Sequence, residues 1–338
     1  MRRSITPHTA QLHRMIDGYQ VAQAIAVAAT LGIADLVADG PKTSKELARI
    51  TGAHPRALHR LLRALASVDV FTQDNDGRFA MTPLAEGLRG DIPGSLRAWA
   101  IHAGQPYMQA AWAHLHYSVT TGEPAFPHVH GVSSWQYRQQ HPTAGQVFDE
   151  AMGASAHDAT DIVHAYDFGA VDRVVDVGGG HGALIAAILT TYPNVRGTLF
   201  DQPHVVDGAA PTLHAAGVAD RCAVVAGDFF DEVPASGDLY ILKGVIHDWD
   251  DDSASRILRT CRRAMTAERT LLLIEQIIPI DDKAGASAYF MDLHMLVIHG
   301  GVERTADDLA ALLASAGLRQ TRVVPTKTGL NLIEAVPV

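Results

Sequence analysis

The chain has 338 residues, 47% hydrophobic and 19% charged, so it carries material for packed cores and is not a disordered segment. Its formal net charge of -10 argues against a protein whose main surface binds nucleic acid. Two cysteines, Cys222 and Cys261, lack any paired spacing, which excludes a disulfide framework and a cysteine-based zinc site.

Arg2 and Arg3 are followed by no long apolar run and no cleavage signal, and the apolar stretch from Ala24 to Leu31 is too short to span a bilayer. The expectation is a soluble, cytoplasmic protein with no membrane partner. Residues 9–38 hold the Ala-rich run VAQAIAVAATLGIADLV, which has good helix propensity. In the next segment Thr43 or Ser44 can cap a helix, with Glu46 placed to complete the cap, and Gly52 ends it. Pro55 opens a second helix whose Leu58, Leu61, Leu62 and Leu65 keep helical spacing. The stretch VFTQDNDGRFAMTP then reads as a hairpin, with DNDG as the turn between Val70, Phe71 and Phe79, Met81. Helix, helix, hairpin is a winged-helix pattern.

Residues 91–168 are rich in Trp, His, Tyr and Gln and contain helical stretches. From about residue 172 apolar strand-like runs alternate with amphipathic ones: RVVDVG, RGTLFD, CAVVAGDFF, DLYILKGVIHDW and RTLLLIEQIIP are the strands. Continuous apolar strands separated by helices imply a parallel sheet covered on both faces. A helix, DDLAALLASAGL, and a terminal hairpin, TRVVPTKTGLNLIEAVPV, complete the chain. The predicted architecture is α/β: a C-terminal Rossmann-like, doubly wound domain over 169–338, a helical linker over 96–168, and an N-terminal winged-helix region over 1–95.

Three motifs carry chemistry. The first is VVDVGGGHGAL at 174–184, a buried strand running through Gly178, Gly179, Gly180 and Gly182 into a helix. Ligands of open α/β sheets sit at such a turn. Gly178, Gly180 and Ala183 also satisfy the dinucleotide pattern, and Asp201, at the end of the next strand, could accept ribose hydroxyls of either NAD or S-adenosylmethionine (SAM). Asp176 separates the two: a carboxylate there opposes a pyrophosphate but suits a ligand bearing an ammonium and a sulfonium. In GDFF, Asp228 could accept from an adenine amine and Phe229 could cover the ring, or Asp228 could serve only as a turn or cap residue.

The second motif is LKGVIHDWDDDSASRIL, where an apolar strand delivers Lys243 and then His247 beyond the sheet. An imidazole can take a proton near neutral pH. Asp250 to Asp252 read as the acidic N-terminus of the following helix, not as metal ligands. The third is a pair of glutamates. Glu275 ends an apolar run, so it should be partly buried and in need of a partner such as an imidazole; Glu303 is either part of the same site or a loop acid before a cap at Thr305.

Taken in order, VVDVGGGHG, LFDQPHVV, GDFFDEVP, LKGVIHDWDD, LLLIEQIIP and GGVERT resemble the plant caffeic acid O-methyltransferase family and its bacterial polyketide and anthracycline relatives, over nearly the whole chain. The resemblance implies a SAM-dependent methyltransferase with S-adenosylhomocysteine as product, no metal, a homodimer built through the N-terminal region, and a small aromatic acceptor. It implies that Gly178, Asp201, Asp228, Phe229 and Lys243 hold SAM, beside Asp176 and Gly180. His247 would be the general base; Glu275 would accept from its other ring nitrogen, and Glu303 would help hold the ring. The segment GQVFDEAM is similar to the family's acceptor-lining stretch and points to Phe148 and Met152, with Met295 in a later helix. One departure is Gly244, where the family commonly has a bulky aromatic after the lysine; the change either enlarges the pocket or reflects local packing. Two other functions compete: a nitrogen methyltransferase or other SAM-binding enzyme on the same scaffold, and a transcription factor, suggested by Arg56, Arg60 and Arg63 on the winged helix but opposed by the acidic charge and the Leu-heavy second helix.

Overall fold

The computed structural model describes residues 6–153, 156–235, 237–279 and 286–338. They fall into two compact units, Met1–Gln109 with Glu150–Ala154, and Ala110–Asp149 with Ser155–Val338.

In the first unit the Ala-rich run forms helices Gly18–Thr30 and Ile33–Val37, preceded by Pro7–Ile16. Strand β1 (Lys42–Thr43) leads into helix Ser44–Thr51, which starts on a capping box: Thr43 Oγ1 accepts the Glu46 N–H, and the Glu46 carboxylate accepts the Thr43 N–H at 2.7 Å. Helix Pro55–Ala66 buries Leu58, Leu62 and Leu65, with Leu61 packed at the edge of the same core. Strands β2 (Phe71–Gln73) and β3 (Arg78–Met81) form the expected hairpin, with β1 added on the far side of β3. The Asp74 carboxylate closes the turn by accepting from Asp76 and Arg78 N–H groups. The core gathers Leu47 and Leu62 from the two helices and Phe71 and Phe79 from the hairpin. Helix Pro7–Ile16 buries none of its residues and leaves Leu12, Met15 and Ile16 exposed.

The second unit is built on β4 (Arg173–Val177), β5 (Arg196–Asp201), β6 (Cys222–Ala226), β7 (Leu239–Lys243), β8 (Thr270–Gln276), β9 (Leu318–Pro325) and β10 (Leu330–Pro337). Their order in the sheet is β6-β5-β4-β7-β8-β10-β9, the first five parallel and β10 antiparallel to both neighbours. Alternation divides the strands between two cores. Val175, Val177, Tyr240, Leu242, Leu271 and Leu273 pack against helices Asp251–Ala264 and Ala306–Ser315. Val174, Leu239, Ile241, Leu272 and Ile274 pack on the opposite face with helix Ala183–Thr191. This is the doubly wound sheet that continuous apolar strands require.

The chain leaves β4 toward β5 and β6, then returns to place β7 on the other side of β4. That reversal opens a crevice at the carboxyl ends of β4 and β7, where ligands of such sheets sit. Asp176, Asp201, Lys243, His247 and Glu275 all lie on or just beyond this edge. Asp250 caps helix Asp251–Ala264 through the Ser253 N–H, as its acidic start suggested, and Thr305 caps helix Ala306–Ser315 in a capping box with Asp308. No helix of the described residues is long and apolar enough to cross a membrane.

Candidate active site

Past Val177 the backbone turns through Gly178, Gly180 and Gly182 at φ of 70°, 59° and 80°, a conformation side-chain-bearing residues rarely adopt. Gly178 N–H donates to the Phe200 carbonyl at 2.8 Å, and Gly180 N–H donates to Asp201 Oδ2 at 2.9 Å. Asp201 Oδ1 accepts from Gln202 N–H at 2.6 Å. The carboxylate thus ties the glycine loop to the end of β5. Burial raises the Asp201 pKa, against the pull of those two N–H donors.

Asp176 lies one strand inward and is buried. Its Oδ2 accepts no hydrogen bond among the described residues. Desolvation drives its pKa up to about 7; the Lys243 charge works the other way and Asp201 adds to the rise. The buried Asp176 and the half-buried Asp201 beside the glycine turn suit a ligand that brings cationic groups and hydroxyl donors, and would repel a pyrophosphate. The residues present therefore fit SAM. A Cβ on Gly178 would stand 3.7 Å from the Phe229 ring, so Phe229 flanks the turn, itself edge-on to Phe230 and Trp249. Asp228 is exposed and its Oδ1 accepts the Phe230 N–H at 2.8 Å, so one oxygen already serves the turn.

His247 sits in a short helical turn, Ile246–Asp248, beyond β7. Its Nδ1–H donates to Glu303 Oε1 at 2.8 Å. Glu275 Oε2 is 4.0 Å from the same nitrogen. Glu275 Oε1 instead accepts the backbone N–H groups of Val245 at 3.2 Å and Ile246 at 2.8 Å. The contacts differ from the expected ones: Glu303 meets the ring nitrogen at hydrogen-bond distance, and Glu275 meets the backbone of the loop that carries the ring. The reason is that Glu275 lies on β8 one residue past its last pair with β7, Ile274 with Lys243, and so meets the N–H groups freed where β7 stops. Both glutamates are buried, at 2% and 4% exposure, so Glu303 is no surface loop acid.

Burial works against the imidazolium, but the carboxylates of Asp248, Glu275 and Glu303 outweigh it and hold the His247 pKa at about 10. In turn burial pushes Glu275 up to about 7 and Asp248 up to about 6, each restrained by the His247 charge. Gly244 has φ of 60°, and a Cβ there would lie 3.7 Å from His247 Nε2. The glycine is explained by backbone conformation, and it stands beside the nitrogen that does not face Glu303.

Phe148 is half-buried on helix Pro142–Gly153, edge-on to Trp135, with the Arg138 guanidinium 3.5 Å from its ring centre. Met152, one turn on, is exposed, and Met295 is buried in helix Ala286–Ile298. Sequence reasoning missed Asp248, whose Oδ1 lies 3.7 Å from His247 Nε2, although an acid between Ile246 and Trp249 was a signal of a buried charge. It also missed Arg304 and the neutral His294. Trp112 Nε1–H donates to His294 at 3.2 Å, and burial lowers the His294 pKa to about 4. Among the described residues, no group of three or more His, Cys, Asp or Glu side chains is placed to hold a metal ion.

A doubly wound sheet of this strand order, with a glycine turn and paired acids at its switch point, defines a class I SAM-dependent methyltransferase. The family profile of the O-methyltransferase domain matches residues 112–319, and that of the O-methyltransferase dimerisation domain matches residues 13–89. The chain belongs to the O-methyltransferase family and is a SAM-dependent methyltransferase. It is 48% identical to a phenazine O-methyltransferase of Lysobacter antibioticus, over 100% of this chain and 98% of the relative. It is 32% identical to a phenazine-1-carboxylate N-methyltransferase of Pseudomonas aeruginosa, over 96% of both. Among solved structures, LaPhzM superposes with a TM-score of 0.93 at 48% identity, covering 98% of this chain and 100% of that one. An O-methyltransferase from neocarzinostatin biosynthesis, in complex with S-adenosylhomocysteine and 1,4-dihydroxy-2-naphthoic acid, gives 0.81 at 36%, covering 94% and 96%.

Proposed function

We propose that the protein methylates a hydroxyl of a small planar aromatic, a phenolic or polyketide-type secondary metabolite, with His247 as general base. The observation that carries this reading is the 2.8 Å contact of His247 Nδ1 with the buried Glu303, which fixes the tautomer that leaves Nε2 to accept a proton. Bound SAM supplies an electrophilic methyl on a sulfonium. Asp201 would bind the ribose hydroxyls, Asp228 and Phe229 the adenine, and Asp176, Gly178, Gly180 and Lys243 the remainder. Phe148, Met152 and Met295 would line the acceptor pocket.

A phenol has a pKa of about 10 and is a poor nucleophile when protonated. An imidazole whose pKa is also held at about 10 matches it, so once the ring is neutral the transfer of that proton costs little, and the rate should rise with pH toward that value. Glu303 then stabilises the imidazolium facing the phenolate. Single-turnover kinetics with His247→Ala test the role; an unchanged rate at neutral pH would refute it. The N-methyltransferase relative favours a second reading, a nitrogen acceptor on the same scaffold. The position of the added methyl, found by mass spectrometry and NMR of the product, separates the two.

The dimerisation profile and the exposed Leu12, Met15, Ile16 and Tyr19 support a homodimer closed through the N-terminal helices. Light scattering that returned a monomer at micromolar protein would sink that claim. Cys222 and Cys261 are both free and buried, which suits a reducing cytoplasm.

A further inference from the structure

We propose that Arg304 is a positioning residue for His247, through a clamp that the segment Gly301–Arg304 closes over the imidazole loop. The inference rests on the reading of His247 as the base, which it deepens. The loop from Gly244 to Asp250 is short and begins in a left-handed glycine, and within it the Asp248 and Trp249 N–H groups reach the Val245 and Ile246 carbonyls only at 3.3 Å. Its backbone is held from outside. Val302 N–H donates to the His247 carbonyl at 3.0 Å. A Cβ at Gly301 would collide with that carbonyl oxygen and with the carbonyl carbon of Asp248, so the two backbones touch directly.

The Arg304 side chain completes the hold. It is buried, and its guanidinium donates to the Ile246 carbonyl at 3.0 Å, the Trp249 carbonyl at 2.9 Å and the Val302 carbonyl at 3.3 Å. Nε and Nη2 both reach Asp251 Oδ1, at 2.9 and 2.8 Å. The fork therefore grips the loop on both sides of His247 and fastens it to the first residue of the next helix. Its own backbone is anchored where Glu275 is: Arg304 bridges Ile277, and its carbonyl accepts the Ile278 N–H at 3.0 Å. One element thus sets the relative placement of His247, Glu275 and Glu303. A planar fork with fixed donors can satisfy three carbonyls and a carboxylate together; an ammonium point charge cannot. Misplacement by about 1 Å can cost on the order of 10²-fold in rate.

The experiment compares wild type, R304K and R304A, with histidine nitrogens labelled and the His247 signals assigned by their absence from H247Q. Expected for R304K is a kcat lower by about 10²-fold, SAM dissociation little changed by calorimetry, and displaced His247 ring signals in the ligand-free protein. R304A, if it folds, should regain rate when guanidinium ion is added at low, non-denaturing concentration, while R304K should not. An unchanged kcat or unmoved His247 signals in R304K would overturn the assignment. The signals do not depend on turnover: if His247→Ala keeps its rate while R304K still moves them, the clamp stands and the base reading has failed.

Discussion

At the glycine loop, Asp176 is buried with one oxygen that accepts no hydrogen bond among the described residues, and its pKa rises to about 7. At the imidazole loop, Glu303 is as deeply buried but holds the His247 Nδ1–H at 2.8 Å. Buried carboxylates need cations or donors. The imidazole loop carries its own cation in direct hydrogen-bond contact, although Glu275 Oε2 and Glu303 Oε2 also accept no hydrogen bond among the described residues. At the glycine loop the Lys243 charge offsets the burial of Asp176 only in part, and a ligand can bring further cationic groups. The imidazole loop should therefore govern turnover with little effect on cofactor affinity, and the glycine loop should govern affinity and answer to ligand in its stability.

Substitutions can break that division. His247→Ala should lower single-turnover rate by at least about 10²-fold and leave SAM affinity nearly intact. Comparable losses in both would show that the regions are not separable. Asp201→Ala should weaken SAM by about 1–3 kcal/mol, read by calorimetry, because a hydrogen bond to a charged group is lost and the Gly180 tie goes with it. NAD should give no signal with either protein; tight NAD binding in place of SAM would end the methyltransferase assignment.

Two further variants sharpen the comparison through pH. Removing the Glu303 charge takes away a group that raises the His247 pKa from its ordinary 6.5, so Glu303→Gln should move the rising limb of the rate profile to lower pH by about one unit, with a lower plateau. A limb that stays in place would detach the profile from His247. Asp176 behaves in the opposite sense. Its raised pKa means that the folded protein binds a proton between about 4 and about 7 that the unfolded chain does not, so ligand-free stability falls as pH rises through that window. Asp176→Asn should remove this loss and stabilise the ligand-free protein at pH 8, read as a higher melting temperature, by at most about 4 kcal/mol, while weakening SAM. A lower melting temperature at pH 8 would contradict the picture of an acid destabilised by burial.

Much of this was legible in the sequence, and what was hidden has a common cause. Strands β4 to β8, the glycine turn and the placement of His247 followed from apolar runs and punctuation, which are local signals. The caps at Thr43, Asp250 and Thr305 were local too. The exchange of contacts between Glu275 and Glu303 was not, because it depends on which oxygen meets N–H groups of a neighbouring strand's end. Arg304 reads as one more loop cation until the fold shows its donors on three carbonyls. The one-turn spacing of Phe148 and Met152 could be read from GQVFDEAM, but not that a guanidinium stacks on Phe148.

The smallest expected effect tests the loop contacts of Glu275. In Glu275→Gln the amide oxygen can still accept the Val245 and Ile246 N–H groups, so the loop should stay in place. What is lost is charge, and the amount lost depends on pH. Burial raises the Glu275 pKa to about 7, so below that value the native side chain is mostly neutral and resembles the amide. Above it the carboxylate is present and supports the imidazolium from 4.0 Å. Wild type and variant should therefore share nearly the same single-turnover rate at pH 6. They should separate above pH 8, where the deficit stays under about tenfold, since a single pKa unit at His247 corresponds to that factor. A deficit that is constant across pH would mean that the substitution displaced the loop. A large deficit at pH 6 would mean that Glu275 is ionised throughout and acts on the ring directly.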